Sequence, residues 1–576
     1  MKKKIITKLN LAVKTVITLK KSAGTQLNNF KIFLIFMSFV ALFSSEMEAQ
    51  SVDAWMTSGD KSSLIEQQTS TSFVSNPNPS SSTITIDEGT TYQTMDGFGW
   101  CFTEGSAEVI SSLEPTQQGS LLTELFDTTS GIGSSVVRIS IGASDLGSSD
   151  YSYDDLASGT DVNMTKFSLA GPDSLYLFPI LKKILVINPN IKILATPWSA
   201  PRWMKSNNAW KGGSLQTQYY AAYAKYFVKY ITAMQAQGIP IWAITPQNEP
   251  ENPNNEPSLV MNSTEETNFI NNNLGPAFTA AGIKTKIICF DHNCDHPDYP
   301  TYVCNNSTYV DGSAFHLYAG SISALTTVHD ATSKNIYFTE QYTAASGDFS
   351  GDFSWHLQNV MLGAPNNWAK TAIEWNLATN ESYGPHTPGG CSECLGAITI
   401  NNSTSYTHNV SFYIVTQLSQ FVKSGAVRIS SVSTDGNLIT GSFKNPDGSI
   451  ILVVLNTGSI PVDFKVNYGL LSFTYSIPAV SAISFIWKSP TGIESKVSQP
   501  INSFPNPVKN SLTIDISDNG PFSVIITDLS GKILLEQPIF AVNNSVEIDM
   551  GNFINGFYLV ELKGNSRNYI YKIVKN

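Results

Sequence analysis

The chain has 576 residues, 42% of them hydrophobic and 14% charged, too long for one small fold and too apolar for general disorder. Its net charge of −11 is uneven: residues 1–49 carry eight lysines against Glu46 and Glu48, net +6, and the remainder carries 27 basic and 44 acidic side chains, net −17. So acidic a surface repels polyphosphate and anionic lipid, which excludes nucleic acid and membrane surfaces as partners.

The first element is a leader. Ile32–Phe43 is a largely apolar run of twelve with lysines before it and Met47-Glu48-Ala49 after it. Twelve residues fall short of the roughly 20 that span a bilayer, and the layout fits a signal peptide over 1–49, cleaved after Ala49. A membrane anchor is the alternative. No later stretch is apolar for long enough to span, so a soluble, exported mature protein is expected.

Residues 50–92 are β-rich. From 93 to 424, eight short β-rich runs alternate with segments of helical character: Gln93–Trp100, Val136–Ile141, Ile191–Thr196, Ile241–Gln247, Thr285–Phe290, Gly312–Leu317, Asn335–Glu340 and Thr371–Trp375. Between them, Leu175–Val186 and Tyr219–Gln235 repeat apolar residues every three or four positions, the spacing of amphipathic helices. Strands alternating with helices imply parallel pairing with right-handed crossovers. Eight such units predict an α/β fold, a (β/α)8 TIM barrel with its chemistry at the C-terminal strand ends.

Five strand-like segments follow over 425–488 with turn signals such as Pro446-Asp447-Gly448, and no helix pattern interrupts them. With residues 50–92 they form a β-sandwich side domain attached to the barrel. Residues 489–500 read as a polar linker, and 501–576 as a small all-β C-terminal domain with six strand-like runs.

Six cysteines are too few to build a fold of this size. Cys294 with Cys304, and Cys391 with Cys394, are candidate loop disulfides; Cys101 and Cys289 read as core thiols. One CxxC without a matching second pair, and histidines without paired spacing, predict no metal and no cofactor.

Two strand ends carry the chemistry. The apolar run from Ile241 delivers Asn248 and Glu249, followed by Pro250, and Asn335–Phe338 delivers Glu340. Proline disfavours helix at the residue before it, so Glu249 is expected in extended backbone. Ninety-one residues separate the two glutamates, about three βα units. Paired carboxylates across a barrel mouth suit glycoside hydrolysis: one protonates the leaving oxygen, the other attacks carbon or activates water. Trp198, Trp203, His316, Tyr318 and Trp375 lie at or after strand ends, where flat rings can stack on sugars. Glu374 is the rival carboxylate; the tryptophan after it suggests a support role.

Seven stretches taken in order then resemble glycoside hydrolase family 30, the group of glucosylceramidases and β-1,6-glucanases. They are Asp96-Gly97-Phe98-Gly99, Val137-Arg138-Ile139 with Asp145, Ala195 to Pro201, Pro246-Gln247-Asn248-Glu249-Pro250, Ala314 to Tyr318, Phe338-Thr339-Glu340 and Glu374 to Ala378. The resemblance implies hydrolysis with retention, Glu249 as acid/base and Glu340 as nucleophile. It implies that Arg138, Asp145, Trp198, Asn248, His316, Tyr318 and Trp375 bind substrate or support the carboxylates, with Asn248 at the sugar 2-hydroxyl. The tail resembles the sorting domain of the bacterial type IX secretion system through Phe504-Pro505-Asn506-Pro507, Leu529 to Lys532, Gly556 to Val560 and Tyr571 to Lys575. Its partner would then be that machinery; a β-sandwich binding appendage is the alternative.

Residues 290–300 and 384–396, both after barrel strands, resemble the bacterial β-1,6-glucanase branch, and their polar character suits a hydrated glucan better than a ceramide tail. The expected substrate is β-1,6-glucan, the alternative a glucosylceramide-type β-glucoside. A non-catalytic carbohydrate-binding surface protein is the reading from a different class.

Overall fold

Strict alternation along short apolar strands builds the centre of the molecule. In the computed structural model, which describes residues 50–74, 80–488, 503–515, 520–528, 532–564 and 568–576, the chain divides into two units, one ending near 489 and one beginning near 490. The expected leader and linker lie outside the described residues.

Eight parallel strands form the barrel: β1 (Gly97–Cys101), β2 (Val136–Ser140), β3 (Lys192–Thr196), β4 (Ala243–Ile244), β5 (Lys286–Cys294), β6 (Val310–Gly320), β7 (Asn335–Glu340) and β8 (Thr371–Glu374). Each pairs with its sequence neighbour from β1 to β7, and β8 pairs with β1. The ring closes through an Ile336–Ala369 bridge, with Lys370 N–H donating to the Ile336 carbonyl at 2.8 Å. Val136, Leu194, Ala243, Ile288, Ala314, Tyr337 and Ile373 fill the inside. Their neighbours Val137, Ile139, Ile193, Ile287, Phe315, Ile336 and Ala372 face the surrounding helices, among them Leu177–Ile187 and Tyr220–Ala236. No helix among the described residues is long and apolar enough to cross a membrane.

The predicted first strand needs correction. Gln93 belongs to a long strand, Ser82–Thr94, in a second sheet, and the barrel begins at Gly97. That sheet has nine strands and interleaves both ends of the unit: Ser51–Ser58 pairs with Ser481–Lys488, and Ser82–Thr94 lies between Val427–Ser433 and Val462–Tyr468. Strand Ser449–Asn456 explains why its sequence is apolar throughout rather than alternating. Ile450, Leu452 and Val454 pack in the side domain's own core, while Ile451, Val453 and Leu455 join the core shared with the barrel. Burial on both faces fastens the side domain to the barrel, each such side chain contributing about 1.5–3 kcal/mol. A helix absent from the sequence reading, Val410–Ser419, backs this joint through Gln417 Nε2, which donates to Ser484 Oγ at 2.6 Å.

The second unit stacks a three-stranded on a four-stranded antiparallel sheet around Leu512, Ile514, Val524, Ile526, Val546, Ile548, Val560 and Ile573. Its Asn506 side chain clasps the last strand, donating to the Lys572 carbonyl and accepting from Val574 N–H, both at 2.9 Å. That contact joins two of the motifs that mark the tail.

Candidate active site

At the C-terminal end of the barrel, Arg138 rises from β2 into the interior with only 1% of its surface exposed. Such a charge needs close partners to be tolerated. Nη1 donates to Glu340 Oε2 at 2.6 Å, and Nη2 donates to Asn248 Oδ1 at 2.6 Å and to Asp291 Oδ2 at 2.9 Å. The guanidinium also lies over the Trp198 ring, 4.8 Å from its centroid. One rigid fork thus aligns residues from the loop after β4, from β5 and from β7.

Asp291 is the base of the site. It accepts from Arg138, from Thr245 and Thr339 hydroxyls at 2.7 Å, and from His316 Nε2 at 3.2 Å. Burial would raise its carboxyl, but Arg138 and His316 outweigh burial and hold it well below the usual carboxylate range. His316 lies between the glutamates: Nδ1 is 3.4 Å from Glu249 Oε1 and 3.6 Å from Glu340 Oε1. Burial opposes its charge, yet Glu340, Asp291 and Glu249 together push the imidazole up to about 9, so both ring nitrogens carry protons at neutral pH.

Oxygens of Glu249 and Glu340 come within 4.8 Å of one another. Glu340 also accepts from Tyr318 OH at 3.0 Å. Burial raises its carboxyl, aided by Glu249 and Asp291 and opposed by His316 and Arg138. Glu249 goes the other way. Burial would raise it, but the His316 N–H and charge, with an Asn252 hydrogen bond, bring it below its ordinary value. Glu249, His316 and Glu340 are also the described residues whose donor atoms lie close enough to hold a metal ion.

The expected extended backbone at Glu249 is wrong. Its φ is +45°, in the left-handed region. The proline rule excludes the right-handed helix but does not choose between the extended and left-handed alternatives. Glu249 N–H donates to the Asp291 carbonyl at 3.0 Å, and Asn252 N–H to the Glu249 carbonyl at 2.9 Å, closing a turn with Pro250 at its second position. Those bonds offset a strain of about 1–3 kcal/mol.

A cleft of about 290 Å³ opens above, lined by Asp145, Trp198, Glu249, Asn252, Asn255, Asn293, Tyr318, Glu340, Tyr342, Trp375, Cys391 and Cys394. Trp198 and Trp375 face each other with centroids 5.5 Å apart. Asp145, pushed up to about 7 by burial and by Glu340 and Glu249, accepts from Cys391 N–H at 3.4 Å. Three expected residues stand behind the wall rather than on it: Arg138, Asn248 and His316 support the carboxylates from below. Trp203 is not a cleft aromatic; it donates to the Asp154 carbonyl and packs on Tyr219. Glu374 is fully buried against His356 at 2.9 Å, away from the cleft lining.

Sequence reasoning missed Asp291 as the base of the site, along with Asn252, Asn255 and Tyr342 on the wall; Asn293, also on the wall, lies in the stretch 290–300 that it placed by the cleft. An aspartate directly after Ile287-Ile288-Cys289-Phe290 was the available signal for the first, since a charge in an apolar strand needs a partner. The cysteine pairing also needs correction. Cys391 and Cys394 are bonded, but Cys294 donates to the His316 carbonyl and Cys304 faces Cys289, Sγ to Sγ 3.6 Å. Strand β5 runs on to Cys294 and buries it, so it is not in a loop.

The glycosyl hydrolase family 30 TIM-barrel model matches residues 95–422, more than half of the chain. The chain belongs to glycosyl hydrolase family 30. The β-sandwich model of that family follows at residues 425–485, and a secretion system C-terminal sorting domain at 502–576. This family 30 enzyme is 36% identical to an endo-1,6-β-D-glucanase of Trichoderma harzianum over 407 residues, 66% of this chain and 81% of that one. A putative glucosylceramidase of Caenorhabditis elegans is 30% identical over 430 residues, 69% of this chain and 79% of that one. Among solved structures, an endo-β1,6-glucanase superimposes with a TM-score of 0.72 at 36% identity, covering 76% of this chain and all of the other. The chain is therefore a glycoside hydrolase, and its tail marks it for export to the cell surface or beyond.

Proposed function

We propose that the enzyme hydrolyses β-1,6-linked glucan outside the cell by double displacement, with Glu340 as nucleophile and Glu249 as acid/base. The observation that carries the mechanism is the approach of the two carboxylates to within 4.8 Å. Retaining glycosidases hold theirs about 5–5.5 Å apart, whereas inverting ones leave about 6.5–9.5 Å for a water. Arg138 and Tyr318 donate to the two oxygens of Glu340 and aim it, and the Arg138 charge opposes the rise that burial imposes on its carboxyl. Glu249 has amide donors in place of a guanidinium and stands at the cleft wall.

In the free site the mobile proton resides on His316, next to Glu249. The acid step needs it on Glu249. A bound sugar removes water from the cleft, and the ionised Glu340 repels a second charge, so both effects favour protonated Glu249 in the complex. Once Glu340 is esterified its charge is gone, Glu249 ionises readily, and it serves as base for the incoming water.

For the substrate, the 36% identity to proteins named as endo-1,6-β-glucanases supports the glucan reading over the glucosylceramide reading, which rests on relatives at 30%. The three cleft asparagines also suit hydroxyl groups better than acyl chains. Export is proposed to use the leader, cleaved after Ala49, and capture of residues 501–576 by type IX machinery. Incubation with β-1,6-glucan, with β-1,3- and β-1,4-glucans and with glucosylceramide tests the assignment. Release of sugar from β-1,6-glucan with the β anomer appearing first in proton NMR is expected. Hydrolysis of the lipid alone, or an α first product, refutes it.

A further inference from the structure

Two side chains that follow Glu249 in the loop after β4 hold one of its carboxylate oxygens. Asn252 Nδ2 and Asn255 Nδ2 each donate to the same oxygen, Glu249 Oε2, at 2.7 Å. The other oxygen, Oε1, faces His316 Nδ1. Both asparagines also line the cleft. An oxygen that accepts two amide N–H bonds has no lone pair to spare for a proton, whereas Oε1 has one donor neighbour, at 3.4 Å.

We propose that Asn252 and Asn255 are positioning residues that fix Oε1 as the one proton-carrying oxygen of Glu249 and ready the ionised form for the second half of the reaction. The inference rests on Glu249 being the acid/base and deepens that reading. In the first step the bond from C1 to the leaving oxygen breaks, its electron pair staying with that oxygen. The oxygen takes the proton from Oε1 as a Glu340 oxygen bonds to C1. In the second step water bonds to C1, its proton passes to Oε1, and the bond to Glu340 breaks with its electron pair returning to the carboxylate. Throughout, Oε2 stays an acceptor, so the proton leaves from and returns to one place.

The geometry makes a directional claim. Amide donors to an ionised carboxylate stabilise it, so removing them makes Glu249 harder to ionise. The other charged and titratable groups facing Glu249 are His316 and Tyr318 from β6, His292 from β5, Glu340 from β7 and Asp145 from the loop after β2. None of them is touched by a change at Asn252 or Asn255.

The test uses the full mature chain carrying N252A, N255A, both together, and N255D. The alkaline limb of kcat on β-1,6-glucan, which reports Glu249 in the complex where it holds the proton, should move up by about one pH unit in the double variant, as befits lost hydrogen bonds to a charged group. N255D, which puts a second carboxylate beside Oε2, should move it at least as far. On an aryl β-glucoside with a good leaving group, where the second step limits, kcat of the double variant should fall and azide should restore part of it as β-glucosyl azide. An unmoved alkaline limb with only KM raised overturns the proposal and leaves the asparagines as sugar contacts. E249A separates the parent reading: if it turns over the aryl glucoside without any azide rescue, Glu249 is not the acid/base and both ideas fall. Azide rescue of E249A with an unmoved limb in the asparagine variants removes this inference alone.

Discussion

Arg138 and Asp291 form an ion pair at 2.9 Å in which neither side chain has any solvent exposure. The pair is costly to bury, and its neighbours offset that cost: Asp291 accepts from two threonines and His316, and Arg138 reaches Glu340 and Asn248, with Nε the one guanidinium nitrogen left without a partner among the described residues. Its effect is to couple the position of the nucleophile to the floor of the barrel.

Removing one partner should therefore cost both stability and rate. D291A takes one of the two carboxylates that balance the buried guanidinium and leaves it paired with Glu340 alone, and a loss of about 3–5 kcal/mol is expected from urea unfolding followed by tryptophan fluorescence. Arg138, still bonded to Glu340 and Asn248, should then lose its anchor on the barrel floor, and kcat should fall further than KM rises. An unfolding midpoint equal to the parent protein's would contradict this account of the site floor.

His316 controls the pH response. Its charge lowers both Glu249 and Glu340, so H316Q should move both limbs of the kcat/KM profile to higher pH, by about one unit each. A stability effect accompanies it. The folded imidazole titrates at about 9, above the ordinary value of 6.5. A raised folded pKa stabilises fully below the unfolded value and loses that contribution as pH rises through the folded one. The stability gap between parent and H316Q should thus be widest below about pH 6 and close above about pH 9. Opposite movement of the two limbs would show that His316 does not face both glutamates as a cation.

The barrel, its eight strands and the two glutamates were legible because apolar runs ending in polar residues recur at βα spacing. What periodicity misses are the irregularities that aim the side chains. Along β7, Phe338 and Glu340 share parity and should face outward together, yet a register shift between them sets Glu340 beside His316. On β5, Phe290 and Asp291 adopt φ of +76° and +59°, and this double reversal turns the aspartate into the interior. No local pattern announces a bulge in an otherwise ordinary strand. Glu249's left-handed backbone was hidden for a related reason: it is held by the Asp291 carbonyl, 42 residues away in sequence. The tail was legible through its motifs, and the side domain through its strands, those before residue 93 included; what stayed hidden was that the strand Ser82–Thr94 carries Gln93 and Thr94 into that sheet rather than into the barrel.

A chain ending at residue 488 should fold and hydrolyse as the longer one does. The core of the second unit shares no residue with the barrel or side-domain cores, and the cleft is lined wholly by the first unit. Equal kcat/KM on β-1,6-glucan for the two chains is the expected result, alongside loss of surface display in a host with type IX secretion. A truncated protein that aggregates or loses turnover would show that the tail completes the catalytic unit.

The Cys391–Cys394 ring borders the cleft and should affect binding more than folding. It closes only three positions, so the entropy it removes from the unfolded chain is small, about 2 kcal/mol in the loop-closure description. Its local effect is larger. Cys394 pairs with Ala344 and Leu395 with Thr343, tying the loop after β8 to the loop after β7, and Cys391 N–H points at Asp145. Reduction frees the 391–394 backbone, loosens that N–H and lets this part of the cleft wall drift. Reduction with dithiothreitol, or the C391S/C394S variant, should therefore raise KM severalfold while kcat changes less and the melting temperature falls only slightly. The two treatments should agree, since each removes the same bond. If KM is unchanged in both, the ring is a loop staple without influence on the sugar, and the position of Asp145 must be fixed by Thr387, whose N–H and hydroxyl hold the Asp145 carbonyl from the far side of the loop.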